Sequence, residues 1–372
     1  MSRRLVAIVG IALAVAIALP AALAFALVDG RGGSGVLEGT IWVANEGSDR
    51  LTGIDADTHT VVTVFPGIAG PHNVQVSPDG MTLWATSTGG GLVAAIDPAD
   101  GTVRGAVKVG ELPAHVVVTP DGRRALVAVS GEDAVAVVDV ETMEQVHRLP
   151  TGSYPHGLRP SPDGSTALVA NMGEDTVTLF DVGQLRPLGE IEVGETPVQV
   201  AYAPDGRYAY VTLNTPGEVV KVDLEERRVV DHVTVDAGPV QIAVTPDGKT
   251  LLVACQGTSE VPGDTLVFVD AATMVVSGVL VVGNGAHGVA IDPSGRQAFV
   301  TTTLAGDVAI VDLGTRTVVD RVQVGGEPNG ISFSPVPAAH AREAEVFERP
   351  LEVTLPLGGS VDGGGSGSGH QH

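Results

Sequence analysis

Between residues 36 and 336 the chain alternates short apolar runs with polar turns, and helix-period stretches are nearly absent. Leu158–Ser161, Ala167–Asn171, Thr176–Asp181 and Leu188–Val193 illustrate the grammar. Each is a strand-length run rich in β-branched and aliphatic residues. Pro162-Asp163-Gly164 joins the first two as a tight turn. An Asp-x-x-Thr turn or a variant of it, beginning here at Asp181, joins the last two. The pattern predicts four antiparallel strands per unit.

The unit recurs. The proline of the recurring Pro-Asp-Gly turn, varied to Pro-Ser-Gly at 293 and Pro-Val-Pro at 335, falls at Pro78, Pro120, Pro162, Pro204, Pro246, Pro293 and Pro335, spaced 42, 42, 42, 42, 47 and 42 residues apart. An apolar residue followed by aspartate recurs at Asp55, Asp97, Asp139, Asp181, Asp223, Asp270 and Asp312 with the same six spacings. Four strands at a period of 40–45 residues predict the blade of a β-propeller, since stacked units of this kind bury their apolar faces only against one another. The fold expected is all-β: a seven-bladed propeller over residues 36–336, with four-stranded antiparallel blades. The chain begins with three strands (Thr40–Asn45, Leu51–Asp55, Val61–Phe65) and ends the repeat with one, Asn329–Ser334. Three and one complete a seventh blade and remove the exposed edges of an open ring.

The second strand of the units reads Trp42-Val-Ala-Asn45, Trp84-Ala-Thr-Ser87, Leu126-Val-Ala-Val129, Leu168-Val-Ala-Asn171, Tyr210-Val-Thr-Leu213, Leu252-Val-Ala-Cys255 and Phe299-Val-Thr-Thr302. Together with the G-x-x-P…P-D-G frame, this resembles the YVTN-type β-propeller family, which includes surface-layer and YncE-like periplasmic proteins. The fold is similar to that of haem d1 propellers and of the nitrous oxide reductase propeller. The resemblance spans about 300 residues and implies the fold; the family's members mostly have no assigned chemistry.

Composition narrows the function classes. The 21 Lys and Arg against 44 Asp and Glu give a net charge of −23, which repels phosphate backbones and argues against a nucleic-acid partner. A single cysteine excludes an intrachain disulfide framework and a Cys-rich metal site. Arg3 and Arg4 precede an apolar run from Leu5 to Val28, expected to be a signal peptide or an N-terminal membrane anchor that places the rest outside the cytoplasm. Residues 29–35 read as a flexible linker. Residues 337–372 form a C-terminal extension, with a short helix expected over Ala338–Val346, an extended strand over Leu351–Leu357, and a Gly/Ser tail ending in His370-Gln-His372. A monomer is expected.

The turns on one face of the disc repeat almost unchanged, so the seven strand-end aspartates read as turn formers. The other face varies, and its one length change is the five-residue insertion within Gln256–Asp264. That face also carries the blade-to-blade connections feeding the innermost strand. They read Pro71-His-Asn-Val, Pro113-Ala-His-Val, Pro155-His-Gly-Leu, Pro197-Val-Gln-Val, Pro239-Val-Gln-Ile, Ala286-His-Gly-Val and Pro328-Asn-Gly-Ile. Each blade thus offers one imidazole or amide: His72, His115, His156, Gln199, Gln241, His287 and Asn329. Four of the ten histidines fall on this ring, three on consecutive blades, which singles it out as the candidate ligand site.

Several readings stand side by side. The ring is a wet channel wall whose polar side chains bond neighbouring backbone. Alternatively it is the site of a binding or interaction module for an envelope protein or small ligand. A third reading is a transition-metal site on His72, His115 and His156. The resemblance to haem d1 propellers adds a tetrapyrrole with an axial histidine; the nitrous oxide reductase chemistry is not expected, because its ring carries more histidines. A lyase or lactonase would need a ring histidine within reach of a carboxylate, with Glu111, Glu195 and Glu327 as candidates and Tyr154 beside His156. Cys255, Trp42 and Trp84 read as core. Asp49, Asp133, Asp175, Glu218 and Asp307 recur on the variable face without a calcium-loop pattern.

Overall fold

The computed structural model describes residues 36–355, apart from Ser259 and Ala344. The N-terminal apolar run, the linker and the Gly/Ser tail with its two histidines lie outside these residues. Among the described residues no helix is long and apolar enough to cross a membrane.

Seven sheets form the ring, six of four strands each, running from the channel outward in the order of the chain. In the third full blade the strands are Pro155–Pro160, Thr166–Asn171, Thr176–Asp181 and Arg186–Glu192. The expected centres are right, and the first strand begins three residues earlier because the ring proline itself pairs, Pro155 with Asn171. The second strands are buried along their length, as in Ala125–Val129 and Leu168–Asn171, whereas outer strands such as Arg186–Glu192 face water. Apolar clusters therefore lie between blades. One joins Trp42, Leu51 and Phe65 of the closing blade to Val74, Leu83 and Ile96 of the next.

The seventh blade is zipped from both ends of the chain. Pro328–Ser334 pairs antiparallel with Thr40–Asn45, followed outward by Arg50–Asp55 and Thr60–Pro66. The strand expected over Leu351–Leu357 is not seen in its described residues 351–355; instead a fifth strand, Phe347–Glu348, runs parallel to Thr60–Pro66, Phe347 opposite Thr63. The main chain continues this pairing, with Arg349 N donating to Val64 O and Leu351 N to Pro66 O. Leu351 is buried beside Trp42, Phe65 and Ile68, and the Phe347 ring meets Phe65 edge-on at 6.4 Å. The extension thus covers the outer edge of this blade. The helix expected over Ala338–Val346 does not form. Only single-turn bonds occur there, from Ala341 N to Ala338 O and from Glu343 N to His340 O. A helix this short is marginal in isolation, and the chain instead extends to bring Phe347 onto Phe65.

The strand-end aspartates are turn formers. Oδ1 accepts from backbone N–H groups two or three residues on at Asp55, Asp97, Asp139, Asp181, Asp223, Asp270 and Asp312. The five-residue insertion lengthens one hairpin rather than forming a separate loop, giving strands Thr250–Gly257 and Pro262–Asp270. Cys255, Trp42 and Trp84 are all buried core residues. Burial pushes the Cys255 thiol up to about 12, so it is an unreactive thiol at neutral pH.

The strap gives a direct test. Leu351→Ala should lower unfolding stability by about 2–4 kcal/mol, because it empties a site between two blades. Leu355→Ala, at an exposed position, should stay within about 0.5 kcal/mol in the same urea titration.

Candidate functional site

Every inner strand enters the channel through the same local distortion. The residue before the ring proline or alanine takes the left-handed conformation in all seven blades: Gly70, Leu112, Tyr154, Thr196, Gly238, Gly285 and Glu327, with φ between 49° and 77°. The register then slips by a bulge, between Pro71 and Val74, Pro113 and Val116, or Pro155 and Leu158. A bulge frees backbone groups and re-aims side chains. In three blades a buried second-strand threonine takes up the freed N–H: Thr86 accepts from Asn73, Thr212 from Gln199, and Thr301 from Gly288. The left-handed turn and the bulge together deliver the ring side chains to the channel mouth.

The blades crowd there. A Cβ on Gly157 would lie 2.4 Å from Gln199 Oε1, and one on Gly330 would lie 2.6 Å from Asn73 Cα. Glycine at these places lets neighbouring inner strands approach.

Three of the predicted residues converge. A nitrogen from each of His72, His115 and His156 lies within 4.8 Å of the other two. His72 Nε2 and His156 Nε2 are 3.3 Å apart, and the His115 and His156 ring centres are 4.9 Å apart. His72 Nδ1 lies 3.0 Å from Glu46 Oε2, and Asn329 Nδ2 donates to the same oxygen at 2.7 Å. His156 Nδ1 lies 3.2 Å from Val198 O. Asn329 Nδ2 also lies 3.1 Å from His72 Nδ1, but it is committed to Glu46 Oε2; a carboxylate and a carbonyl only accept, so both Nδ1 atoms are assigned as donors and both Nε2 atoms are left bare when the rings are neutral. Two lone pairs then face each other. His115 is 3% exposed and its Nδ1 has no partner.

The remaining ring members stand apart from this group. The His287 ring centre is 6.4 Å from that of His72, and its Nδ1 is also buried without a partner. Gln199 folds back, its Oε1 accepting from Val200 N, while its Nε2 and the Gln241 Oε1 are buried without partners. Asn329 belongs to the site through Glu46.

Glu46 was not anticipated. It follows Asn45 directly, and its counterparts in the other blades are Thr88, Ser130, Met172, Asn214, Gln256 and Thr303. Alignment on the second strand would have shown it as the one carboxylate at that position. Glu111, Glu195 and Glu327, the acids expected beside the ring, are exposed, and no hydrogen bond joins their side chains to a ring histidine among the described residues. Asp49 and Asp133 accept from Gly70 N and Tyr154 N and so hold the turns that precede the ring. Glu46, His72, Thr88, Leu112, Tyr154 and His156 border an open pocket of about 280 Å3.

Electrostatics keep His115, His156 and His287 neutral. Burial, then His156 and His72, hold His115 well below the ordinary range. Burial, then His72, lower His156 to about 3 and His287 to about 4. Burial pushes the Glu46 carboxyl up, but its hydrogen bonds from His72 and Asn329 and the charge of His72 outweigh that and leave it below its ordinary value. The result is a pair of imidazoles, His115 and His156, held as neutral nitrogen donors beside an ionised Glu46, the protonation state in which imidazole binds a metal. A tetrapyrrole does not fit. His72 and His156 point at each other across 3.3 Å and His115 is enclosed, so none of these three stands free above a flat face.

A YNCE-like beta-propeller family model matches residues 36–294. No curated protein matches the chain in sequence. Among solved structures, a chain of Kuenenia stuttgartiensis hydrazine synthase is 26% identical with a TM-score of 0.67, covering 73% of this chain and 91% of that one. The periplasmic gluconolactonase of Pseudomonas aeruginosa is 21% identical, TM-score 0.67, covering 80% and 99%. A functionally unknown protein from Desulfotomaculum acetoxidans is 17% identical, TM-score 0.69, covering 81% and 99%. The last two likenesses carry the fold alone.

The depressed histidines set the acid stability of the metal-free protein. An imidazole that stays neutral when folded but titrates near 6.5 when unfolded contributes fully above that pH. Below it the unfolded chain takes up protons that the fold refuses, so stability falls as pH falls, by about 1.4 kcal/mol per pH unit for each such histidine. Glu46 adds its loss only below about pH 4.5. Urea unfolding in chelator should therefore lose stability steadily from pH 6.5 to 5, and His115→Gln should flatten the slope by one histidine's share. An unchanged slope in the variant would show that His115 does not stay neutral in the fold.

Proposed function

The chain belongs to the YNCE-like β-propeller family, and we propose that it is an exported binding propeller whose channel mouth holds a transition-metal ion on His72, His115 and His156. One observation carries the reading: the bare Nε2 atoms of His72 and His156 face each other at 3.3 Å while both Nδ1 atoms are committed to acceptors. With both rings neutral this arrangement is repulsive, and a metal ion held by both nitrogens, like a proton shared between them, removes the repulsion. With metal–nitrogen bonds of about 2.0–2.1 Å, two ligands of a tetrahedral ion stand about 3.3–3.4 Å apart. Glu46 on His72 Nδ1 and the Val198 carbonyl on His156 Nδ1 are the outer partners that fix tautomer and ring orientation. His115 supplies the third nitrogen from a site where it otherwise has no partner for Nδ1. Three protein ligands leave a coordination position for a small ligand. The export expectation rests on Arg3, Arg4 and the apolar run that follows them.

The full chain, stripped with chelator and incubated with Zn2+, Co2+ or Cu2+, should retain about one ion after desalting, read by elemental analysis. His72→Ala or His156→Ala should abolish retention. Glu46→Gln should weaken affinity about 10–100-fold. Retention of no ion, or equal retention by the histidine variants, would leave the channel mouth as a site for an organic ligand or a protein partner.

A second reading, lactone hydrolysis, is favoured by the Glu46–His72 pair at 3.0 Å, a carboxylate-oriented imidazole suited to general-base work. The periplasmic gluconolactonase among the structural neighbours makes glucono-δ-lactone the first substrate to try. Turnover above background that falls at least 100-fold in both His72→Ala and Glu46→Gln would establish this reading, and turnover unaffected by either variant would remove it.

A further inference from the structure

The opposite end of the channel carries a second ring that neither the metal nor the histidines use. Four residues after each ring proline or alanine, the inner strands present Gln75, Val117, Arg159, Ala201, Ala243, Ala290 and Ser332. Six of these seven border a cavity of about 460 Å3. Its rim includes Pro162, Pro293 and Pro335 of the repeated turns, so it opens on the face opposite the histidines. The three alanines make the room, and Ile242, Val289 and Phe333 give apolar walls.

Arg159 is the one cation in this ring. Its single hydrogen bond runs from Nη1 to its neighbour's carbonyl, Leu158 O, at 2.8 Å. Among the described residues no carboxylate lies within ion-pair distance of it, although the chain holds 44 Asp and Glu. Burial alone lowers its pKa, to about 10, and it stays a cation at neutral pH. Arg159 is half-buried; a guanidinium partly withdrawn from water without a counter-charge carries a cost that a bound anion relieves.

We propose that this end of the channel binds a small organic carboxylate, with Arg159 pairing the carboxylate and the aliphatic wall taking the hydrocarbon body. Arg159 Nε and Nη2 have no protein partner and form one edge of the planar fork that receives a carboxylate through two parallel bonds. A phosphate asks for more charge than a single guanidinium supplies. Ser332 Oγ accepts from Val76 N, and Gln75 Nε2 donates one N–H to Val76 O. The site stands on residues other than the metal ligands and is independent of the metal reading.

The test uses the full chain in chelator, so that a metal plays no part. Calorimetric titration with sodium hexanoate should show saturable binding near one per chain with a Kd on the order of 1 mM or tighter. Hexanamide, which has the same body without the charge, and inorganic phosphate should each bind at least tenfold more weakly. Arg159→Met should abolish hexanoate binding and, by removing an unpaired cation, should leave the unliganded protein at least as heat-stable as the parent. Arg159→Lys keeps the charge but loses the fork, and should bind at least fivefold more weakly; it serves alone if the methionine variant does not fold. The proposal is overturned if hexanamide or phosphate binds as well as hexanoate, if hexanoate shows no saturable binding, or if the Lys variant binds it like the parent.

Discussion

Seven sheets standing around a channel have no covalent closure; what holds the ring is the ladder between Pro328–Ser334 and Thr40–Asn45. Left apart, those strands would expose a row of unpaired N–H and C=O groups at each end of the chain, and the apolar faces of the first and last blades would stand open to water. Paired, they seat Trp42 and Phe65 against the next blade and make the ring's core continuous. The parallel pairing of Phe347–Glu348 extends the logic outward, covering the edge of the same blade that the two ends of the repeat build together.

Closure also sets the geometry at the channel. Neighbouring inner strands are packed so tightly that Gly157 and Gly330 have no room for a side chain. The left-handed residue and the bulge that begin each inner strand are the local answer to that crowding. They throw one or two side chains per blade toward the axis. Polar groups placed there are shielded enough to shift a histidine by several pH units, yet they reach a pocket open to solvent. The other end of the same strands is unbulged and lined by small residues, and it offers a wider, greasier chamber with one guanidinium.

The fold was legible because its determinants are local and repeated. The turn prolines, the strand-end aspartates and the second-strand motif each occur seven times, and each does in the structure what its chemistry dictates. The site was legible only in part. His72, His115 and His156 stood out because imidazole is scarce and fell on one ring position. Glu46 was invisible for the opposite reason: glutamate is abundant in a chain of net charge −23, and the loop bearing it belongs to a blade assembled from both termini. Arg159 went unremarked because nothing in a sequence shows that a cation lacks a partner. The C-terminal extension defeated the helix expectation, since the local preference of a short segment was overruled by a tertiary contact at Phe347 and Leu351.

The residues around His72 come from remote parts of the chain. Glu46 belongs to the first strands made, His156 to the middle, and Asn329 to the last strand of the ring. Contacts of such sequence separation form late, after the loop entropy of nearly the whole domain has been spent. A chain truncated before residue 328, or one whose final strand has not yet docked, holds the histidines of the early blades but lacks the amide that shares Glu46 with them. The hydrogen-bond network around Glu46 and His72 is therefore complete only once the ring has closed.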